Sequence, residues 1–532
     1  MESATPRPSE TSDFGRTVRV GIDVGGTNTD AVLMEASRVL AEVKTSTTAD
    51  VTSGVLTALR RLLESGAAAP EQVQAVMIGT THFTNAVVEA RRLVPVAAVR
   101  LGLPATRSLP PMVDWPERLK QVVGGAVYLC RGGHEFDGRL ISAFDRDEFM
   151  RAIEDAHSRG ISSFAVSSVF SPVTAEHETE AAALIEEQLP DAWVSLSHEI
   201  GRIGLLEREN ATIMNACLRD LATKIVDGFR SALGDSGIDA PMYISQNDGT
   251  LMSAEYTERY PVATFASGPT NSMRGAALLS GLDECAVIDI GGTTSDLGVL
   301  EKGFPREAAL EVEIGGVRTN FRMPDVLSIG IGGGSIVDVE PELAVGPLSV
   351  GYQLTERSLV FGGDTLTATD VAVAGGLAEI GDPSLVADLP DSTHTGALAQ
   401  IRERIAESLD RMKTSRDPIP VVLVGGGSIL LEDDLPGAAN VVRPDHFAVA
   451  NAVGAAIAQV GGEVDRVFSL ASGSRAEAIE EATAEATRRA VEAGAEAGTV
   501  RIVDVEEVGL GYLPGNALRL KVKAVGDLVL SR

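Results

Sequence analysis

Residues 22–33 read IDVGGTNTDAVL and residues 288–299 read IDIGGTTSDLGV. Aligned without gaps, Asp23, Gly25, Gly26, Thr27 and Asp30 match Asp289, Gly291, Gly292, Thr293 and Asp296, and the offset is half the chain. Two copies are too few for a solenoid, so the echo reads as a duplicated domain with a cleft between the copies. In each copy a short β-branched run precedes Gly-Gly-Thr, and a second apolar run follows at once. That is strand–turn–strand, a hairpin, rather than the strand–turn–helix of a dinucleotide or P-loop unit.

Outward from these turns the chain alternates helix and strand signals. The stretch 51–66 has helical spacing and stops at Gly66; QAVMIGTT (74–81) reads as a strand ending in a loop and the residues after it as a helix. Helix, strand and helix follow over 145–190, and 201–233 is mostly helical. Beyond the second echo come a helix ending near Met412, a strand over 420–424, a small-residue helix over 446–460 and an Ala/Glu helix over 474–498. The last thirty residues read as two or three strands. The alternation predicts α/β architecture with largely parallel sheets. The expected division is a disordered tail over 1–16, a first domain over 17–200, a second over 201–465, and a C-terminal helix with strands over 466–532.

Composition sets limits on function. The 532 residues are 44% apolar and 23% charged, with aromatics only 4% and 55 glycines, so the core is expected to be built of Ala, Val, Leu and Ile. The formal charge of −30 repels phosphate backbones and argues against nucleic-acid partners, yet permits a small anion held by backbone amides. Cys130, Cys217 and Cys285 are scattered, which excludes a disulfide framework and fits packed small hydrophobes in a reducing compartment. No apolar run reaches the length of a membrane span and no signal peptide is evident, so a cytoplasmic protein is expected.

Two adjacent glycines after a strand let N–H groups converge on an anion, and Thr or Asn side chains add donors. An aspartate at the strand end suits Mg²⁺ held through water and bridged to phosphate. Two further clusters, Gly332–Gly334 before Ser335 and Gly425–Gly427 before Ser428, would let a flat ring or a phosphate approach the main chain. Hairpin, hairpin, then strand and triple glycine is similar to the nucleotide-binding layout of the actin/sugar-kinase superfamily. The resemblance narrows to the hydantoinase/oxoprolinase family, ATP-dependent cyclic-amide hydrolases and their large subunits. It is carried by residues 21–32, IGTTHFTNAVVE (78–89), RGGHEFDGR (131–139), 197–216, FASGPTNSMRGAA (265–277), 287–298, SIGIGGGSI (328–336) and VVLVGGGS (421–428).

The resemblance implies two actin-like, ribonuclease H-like domains with a nucleotide cleft between them and a small C-terminal α+β extension. It implies ATP and Mg²⁺ as cofactors, with a cyclic amide whose oxygen attacks the γ-phosphate. Asp23 and Asp289 would be catalytic and metal-holding. Gly25, Gly26, Thr27 and Asn28 would cradle phosphates from one side, and Gly291, Gly292, Thr293 and Thr294 from the other. Gly333 and Gly334 join the cofactor-binding set, and Gly425, Gly426 and Gly427 would line the adenosine. Thr80, Thr81 and Asn85 lie in a family-like loop facing the acceptor, while His82 carries no family role. His134, Glu135 and Asp137 form a polar knot among glycines. Their two readings are substrate orientation or acid–base work, with His134 and Asp137 as further catalytic groups, and a capped turn. Arg208 and Asn215 share a helix face and either reach the cleft or form a buried structural pair. His157, His177 and His394 are expected to be solvated. A second hydrolase subunit and an oligomer are the expected partners. A carboxylase-associated ATP-using subunit and an actin-like ATPase switch are the alternatives.

Overall fold

The computed structural model describes residues 18–47, 51–308, 312–320, 323–470, 473–511 and 517–529; the expected tail lies outside them. Both hairpins form as read. Val18–Val24 pairs antiparallel with Asn28–Glu35, setting Asp23 opposite Asp30, and Cys285–Ile290 pairs with Ser295–Glu301, setting Asp289 opposite Asp296. The turns close alike. Gly25 N donates to the Asn28 carbonyl at 3.0 Å and Gly291 N to the Thr294 carbonyl at 2.9 Å.

Each hairpin seeds a mixed sheet. Val18–Val24 pairs parallel with Val73–Thr80, which pairs parallel with Met242–Ser245. In the second sheet Cys285–Ile290 pairs parallel with Ile419–Val424, and that strand with Ala438–Val442. A third, all-parallel sheet of four strands holds Val96–Leu103 and Ser163–Ser168 at its centre. It is set apart from the first sheet, although its strands and the first four strands of that sheet all fall within residues 17–200.

The C-terminal segment has the helix and strands expected of it, but it does not stand alone. Gln459–Ser469, Ala517–Gly526 and Arg501–Leu510 extend the first sheet to nine strands through Thr250–Ser253. The expected boundary at 465 therefore falls inside a strand. Pairing covers what would otherwise be an open sheet edge. Ala478, Ala482, Ala486 and Ala490, spaced by four on the helix Arg475–Glu492, pack that helix onto the added strands. The small-residue helix is shorter than expected, Ala450–Ala456, because Gln459 and Val460 already belong to the next strand.

Two helices exchange the lobes. Ser267–Ser280 follows the first lobe in sequence but packs Met273 and Ala276 into the second sheet with Val287 and Val422. Ala450–Ala456 follows the second lobe but packs Ala452, Val453 and Ala456 against Val32 and Met34 of the first hairpin. They cross at two glycines. A Cβ on Gly275 would collide with the Ala450 carbonyl, and one on Gly454 with the Asn271 carbonyl. Among the described residues no helix is long and apolar enough to cross a membrane.

Candidate functional site

The lobe arrangement brings the duplicated turns together. A Cβ on Gly292 would sit 3.4 Å from Thr27 Cγ2, so the turns face one another across a narrow gap. Gly26, Thr293 and Thr294 are exposed, while Gly25, Thr27, Asn28, Gly291 and Gly292 are partly so. Gly25 N and Gly291 N are spent on closing the turns, which leaves the exposed Gly26, Thr293 and Thr294 to face an anion between them.

Beneath the turns lie four carboxyls. Burial above all, then Asp30 and Asp289, pushes Asp23 up to about 7. Burial likewise raises Asp30 and Asp289, and takes Asp296 to about 6. The cation that acts on Asp23, Asp30 and Asp289 is Lys44, whose Nζ reaches Asp30 Oδ2 at 2.9 Å and the Ala448 carbonyl at 3.1 Å. One ammonium against this many buried acids leaves an excess of negative charge that a divalent cation would neutralise.

The helices that cross between the lobes orient these acids. Asn451 Nδ2 donates to Asp23 Oδ2 at 2.9 Å and to Asp30 Oδ2 at 3.1 Å. Ser272 Oγ donates to Asp289, while Asp296 is met from the strand Val326–Ile329 by Ser328 Oγ. The other oxygen of Asp23, Oδ1, is buried and meets no hydrogen-bond partner among the described residues. Among the described residues no three or more His, Cys, Asp or Glu side chains are grouped to hold a metal ion. Two carboxylates with an unmet oxygen and open phosphate-type donors above them fit Mg²⁺, which keeps several waters and shares itself with phosphates.

The glycine clusters divide. Gly425 follows Ile419–Val424 at φ +82°, and a Cβ there would collide with Asp289 Oδ1; Gly426 is exposed, where a Cβ would lie 4.0 Å from Lys44 Cε, and Gly427 is buried. Gly333 and Gly334 are buried, and their N–H groups are already bonded to the carbonyls of Gly291 at 3.0 Å and Gly292 at 2.7 Å. Rather than presenting open donors to a cofactor, as read from the sequence, they brace the second turn from behind.

The acceptor-side residues also divide. Thr80 ends the strand beside the first turn, and Thr81 N donates to the Val24 carbonyl at 3.3 Å. Asn85 bonds Thr81 Oγ1 at 3.3 Å. His82 Nδ1 lies 2.7 Å from Thr80 Oγ1, and burial lowers its imidazole to about 4, so it is neutral. This loop therefore borders the cleft. The knot at 131–139 belongs instead to the four-stranded sheet. His134 is 1% exposed, its ring 4.4 Å from that of His177. Asp137 is paired with Arg139 at 2.8 Å, a bond that holds its carboxyl below the usual range. Neither His134 nor Asp137 contacts the paired acids. Beside them an apolar cavity of about 320 Å³ is lined by Phe136, Val169, Phe170, Ile203, Leu205 and Val467 among others.

His177, expected in solvent, is buried and accepts a hydrogen bond from Gly133 N at 2.9 Å, because the glycine-rich knot folds back over its helix. Arg208 and Asn215 resolve to structure. Arg208, fully buried, donates to the carbonyls of Ser168, Arg202 and Ile203, and Asn215 to Ser195 Oγ and the Arg259 carbonyl. Sequence reading assigned no role to Asp30, Lys44, Ser272 or Asn451. The matched Asp30 and Asp296 in the echo were the available signal for the outer acids.

Comparison with known proteins places this geometry. Residues 19–189 match the Hydantoinase/oxoprolinase N-terminal region, and residues 208–381 match Hydantoinase/oxoprolinase. The chain is 25% identical over 495 residues to caprolactamase subunit alpha of Pseudomonas jessenii, covering 86% of this chain and 69% of that subunit. It is 24% identical to the acetophenone carboxylase gamma subunit of Aromatoleum aromaticum, over 73% of this chain and 57% of that subunit. The crystal structure of ATP-dependent caprolactamase from Pseudomonas jessenii superposes with a TM-score of 0.78 at 19% identity, covering 96% of this chain and 88% of that one. With both regions matched in order over more than half its length, the chain belongs to the hydantoinase/oxoprolinase family.

Proposed function

We propose that this chain is the ATP- and Mg²⁺-using component of a cyclic-amide hydrolase, of the type acting on hydantoins, 5-oxoproline or larger lactams. The observation that carries the reading is the pair of facing Gly-Gly-Thr turns above two buried, under-neutralised acids. The relatives named for caprolactamase and acetophenone carboxylase are both subunits, so a second subunit is part of the proposal.

The chemistry follows from the weakness of an amide as an electrophile. Its oxygen attacks the γ-phosphorus of ATP, the bond to the β,γ-bridging oxygen breaks, and ADP leaves. Water then adds to the carbon that bears the phosphoryloxy group, and the ring C–N bond breaks with a proton passing to the nitrogen. A second water hydrolyses the resulting acyl phosphate to carboxylate and phosphate. Phosphoryl transfer asks the protein mainly for positioning and charge neutralisation. Gly25–Asn28 and Gly291–Thr294 would hold the phosphates from opposite sides, and Gly425–Gly427 would line the adenosine. Asp23 and Asp289 would hold Mg²⁺, which supplies neutralisation of the phosphate charge. Thr80, Thr81 and Asn85 would orient the acceptor. Lobe closure about the crossing helices excludes water from the transfer step.

The 24% identity to a carboxylase subunit favours a second reading, in which the acceptor is another carbonyl-type oxygen and bicarbonate enters the reaction. ADP release with Mg-ATP and a panel of 5-oxoproline, hydantoins, larger lactams and bicarbonate separates the two. Stimulation by one cyclic amide, lost in Asp23→Ala, supports the first; dependence on bicarbonate supports the second. Absence of both nucleotide binding and turnover refutes both.

A further inference from the structure

The crossing helices carry an echo of their own. Residues 271–275 read NSMRG and residues 450–454 read ANAVG. The crossing sets Gly275 against the Ala450 carbonyl and Gly454 against the Asn271 carbonyl, which fixes the register. Ser272 then answers to Asn451, and each donates to the strand-end acid of the lobe it packs on, Ser272 to Asp289 and Asn451 to Asp23. These two side chains do one job twice.

Asn271 breaks the pattern. Its counterpart is Ala450, so packing at this place is met by a methyl group and does not explain an amide. Asn271 is fully buried, yet neither its Nδ2 nor its Oδ1 meets a partner among the described residues. It also points across the pseudo-two-fold. A Cβ on Gly79 would collide with both Asn271 Nδ2 and Asp23 Oδ1, so these two atoms lie within about 5 Å of one another, the span of one bridging water. Asp23 Oδ1 is itself the unmet oxygen of the site. A helix packed on the second lobe thus aims an unsatisfied amide at the unsatisfied acid oxygen of the first, and Gly79 leaves room for them to converge.

We propose that Asn271 is a positioning residue for the Mg²⁺-nucleotide site: its amide and Asp23 Oδ1 hold one water between them, fixing the Asp23 carboxylate toward the cation from the opposite lobe. This rests on the ATP reading above. Groups that orient a metal-holding carboxylate from behind typically alter metal affinity by about 10–100-fold when removed.

The test is calorimetric titration of the full chain with ADP, in MgCl₂ and in EDTA, for wild type and Asn271→Ala. The expected result is ADP affinity within about twofold of wild type in EDTA, with the Mg²⁺-dependent gain reduced about tenfold or more. An unchanged Mg²⁺ gain in a folded variant that binds ADP overturns the assignment of Asn271 and leaves the ATP reading standing. Failure of wild type to bind ADP in either buffer overturns the ATP reading, and the assignment with it. Should Asn271→Ala not fold, a high-resolution crystal structure of wild type decides. A water within hydrogen-bond distance of both Asn271 and Asp23 supports the proposal, and its absence refutes it.

Discussion

The two hairpins share a backbone and their paired acids, and differ in what those acids meet. In the first, Asp23 is 4% exposed, Asp30 is 3% exposed and ion-paired with Lys44, and Asn451 ties the two acids together. In the second, Asp289 and Asp296 are each met by a serine, and the turn is braced by backbone from Gly333 and Gly334. The two copies thus keep matching turns and differ in the charge placed beneath them. The first concentrates charge and keeps an acid oxygen unmet, while the second fixes the geometry of its turn without a cation of its own.

The largest effect is expected where the halves touch. Gly454→Val drives a side chain into the Asn271 carbonyl, and overpacking against a backbone that cannot yield should cost on the order of 3 kcal/mol or more. A wild-type thermal midpoint in this variant would mean that the helices can separate freely, and the lobes with them. Next come the acids. Asp23→Asn and Asp289→Asn should each lower ATP turnover by about a hundredfold or more, the scale for removing a positioned charge from a phosphoryl-transfer site.

Stability separates the first acid from its surroundings. The Asp23 carboxyl is raised to about 7 from an ordinary 3.8. Between those values the folded protein holds a proton that the unfolded chain has released, so stability falls as pH rises through that window. Asp23→Asn removes the buried charge. The ligand-free variant should match wild type near pH 4 and exceed it by a few kcal/mol near pH 8. Urea unfolding at both pH values checks this; an equal offset at both would show that Asp23 is ionised throughout and already neutralised by its neighbours.

How much of this was legible depends on what a letter can encode. The hairpins were readable because Asp, Gly, Gly and Thr recur at fixed spacing and a turn is a local object. The crossing-helix echo was not, because NSMRG and ANAVG share only their final glycine letter for letter, and their equivalence lies in which carbonyl meets which glycine. The C-terminal strands announced themselves as strands, but an apolar alternation does not name its partner; only the open edge at Thr250–Ser253 does. Gly333 and Gly334 were read as free to approach a ligand. Glycine signals close approach, and here what approaches is the chain itself. His177 sits among Glu and Thr in sequence, and its burial follows from a loop folding over it, which composition cannot express.

Two residues on one strand turn the comparison into its finest test. Lys44 and Glu42, both on Arg38–Ser46, reach the same segment beyond the second sheet, Lys44 through the Ala448 carbonyl and Glu42 through His446 Nδ1 at 2.6 Å. Lys44 also meets the buried Asp30, so Lys44→Met should cost about 1–3 kcal/mol at neutral pH. The loss should shrink in acid, where Asp30 takes a proton instead. Glu42 and His446 are 43% and 40% exposed, and Glu42→Gln should cost about 0.5 kcal/mol and leave ATP turnover within about twofold. The ratio of the two effects is the informative quantity. A large gap says that neutralising Asp30 is what the strand contributes to the first cradle. Equal losses say that both residues serve as tethers between the lobes, and the electrical asymmetry of the hairpins would then rest on Asp23 and Asn451 without Lys44.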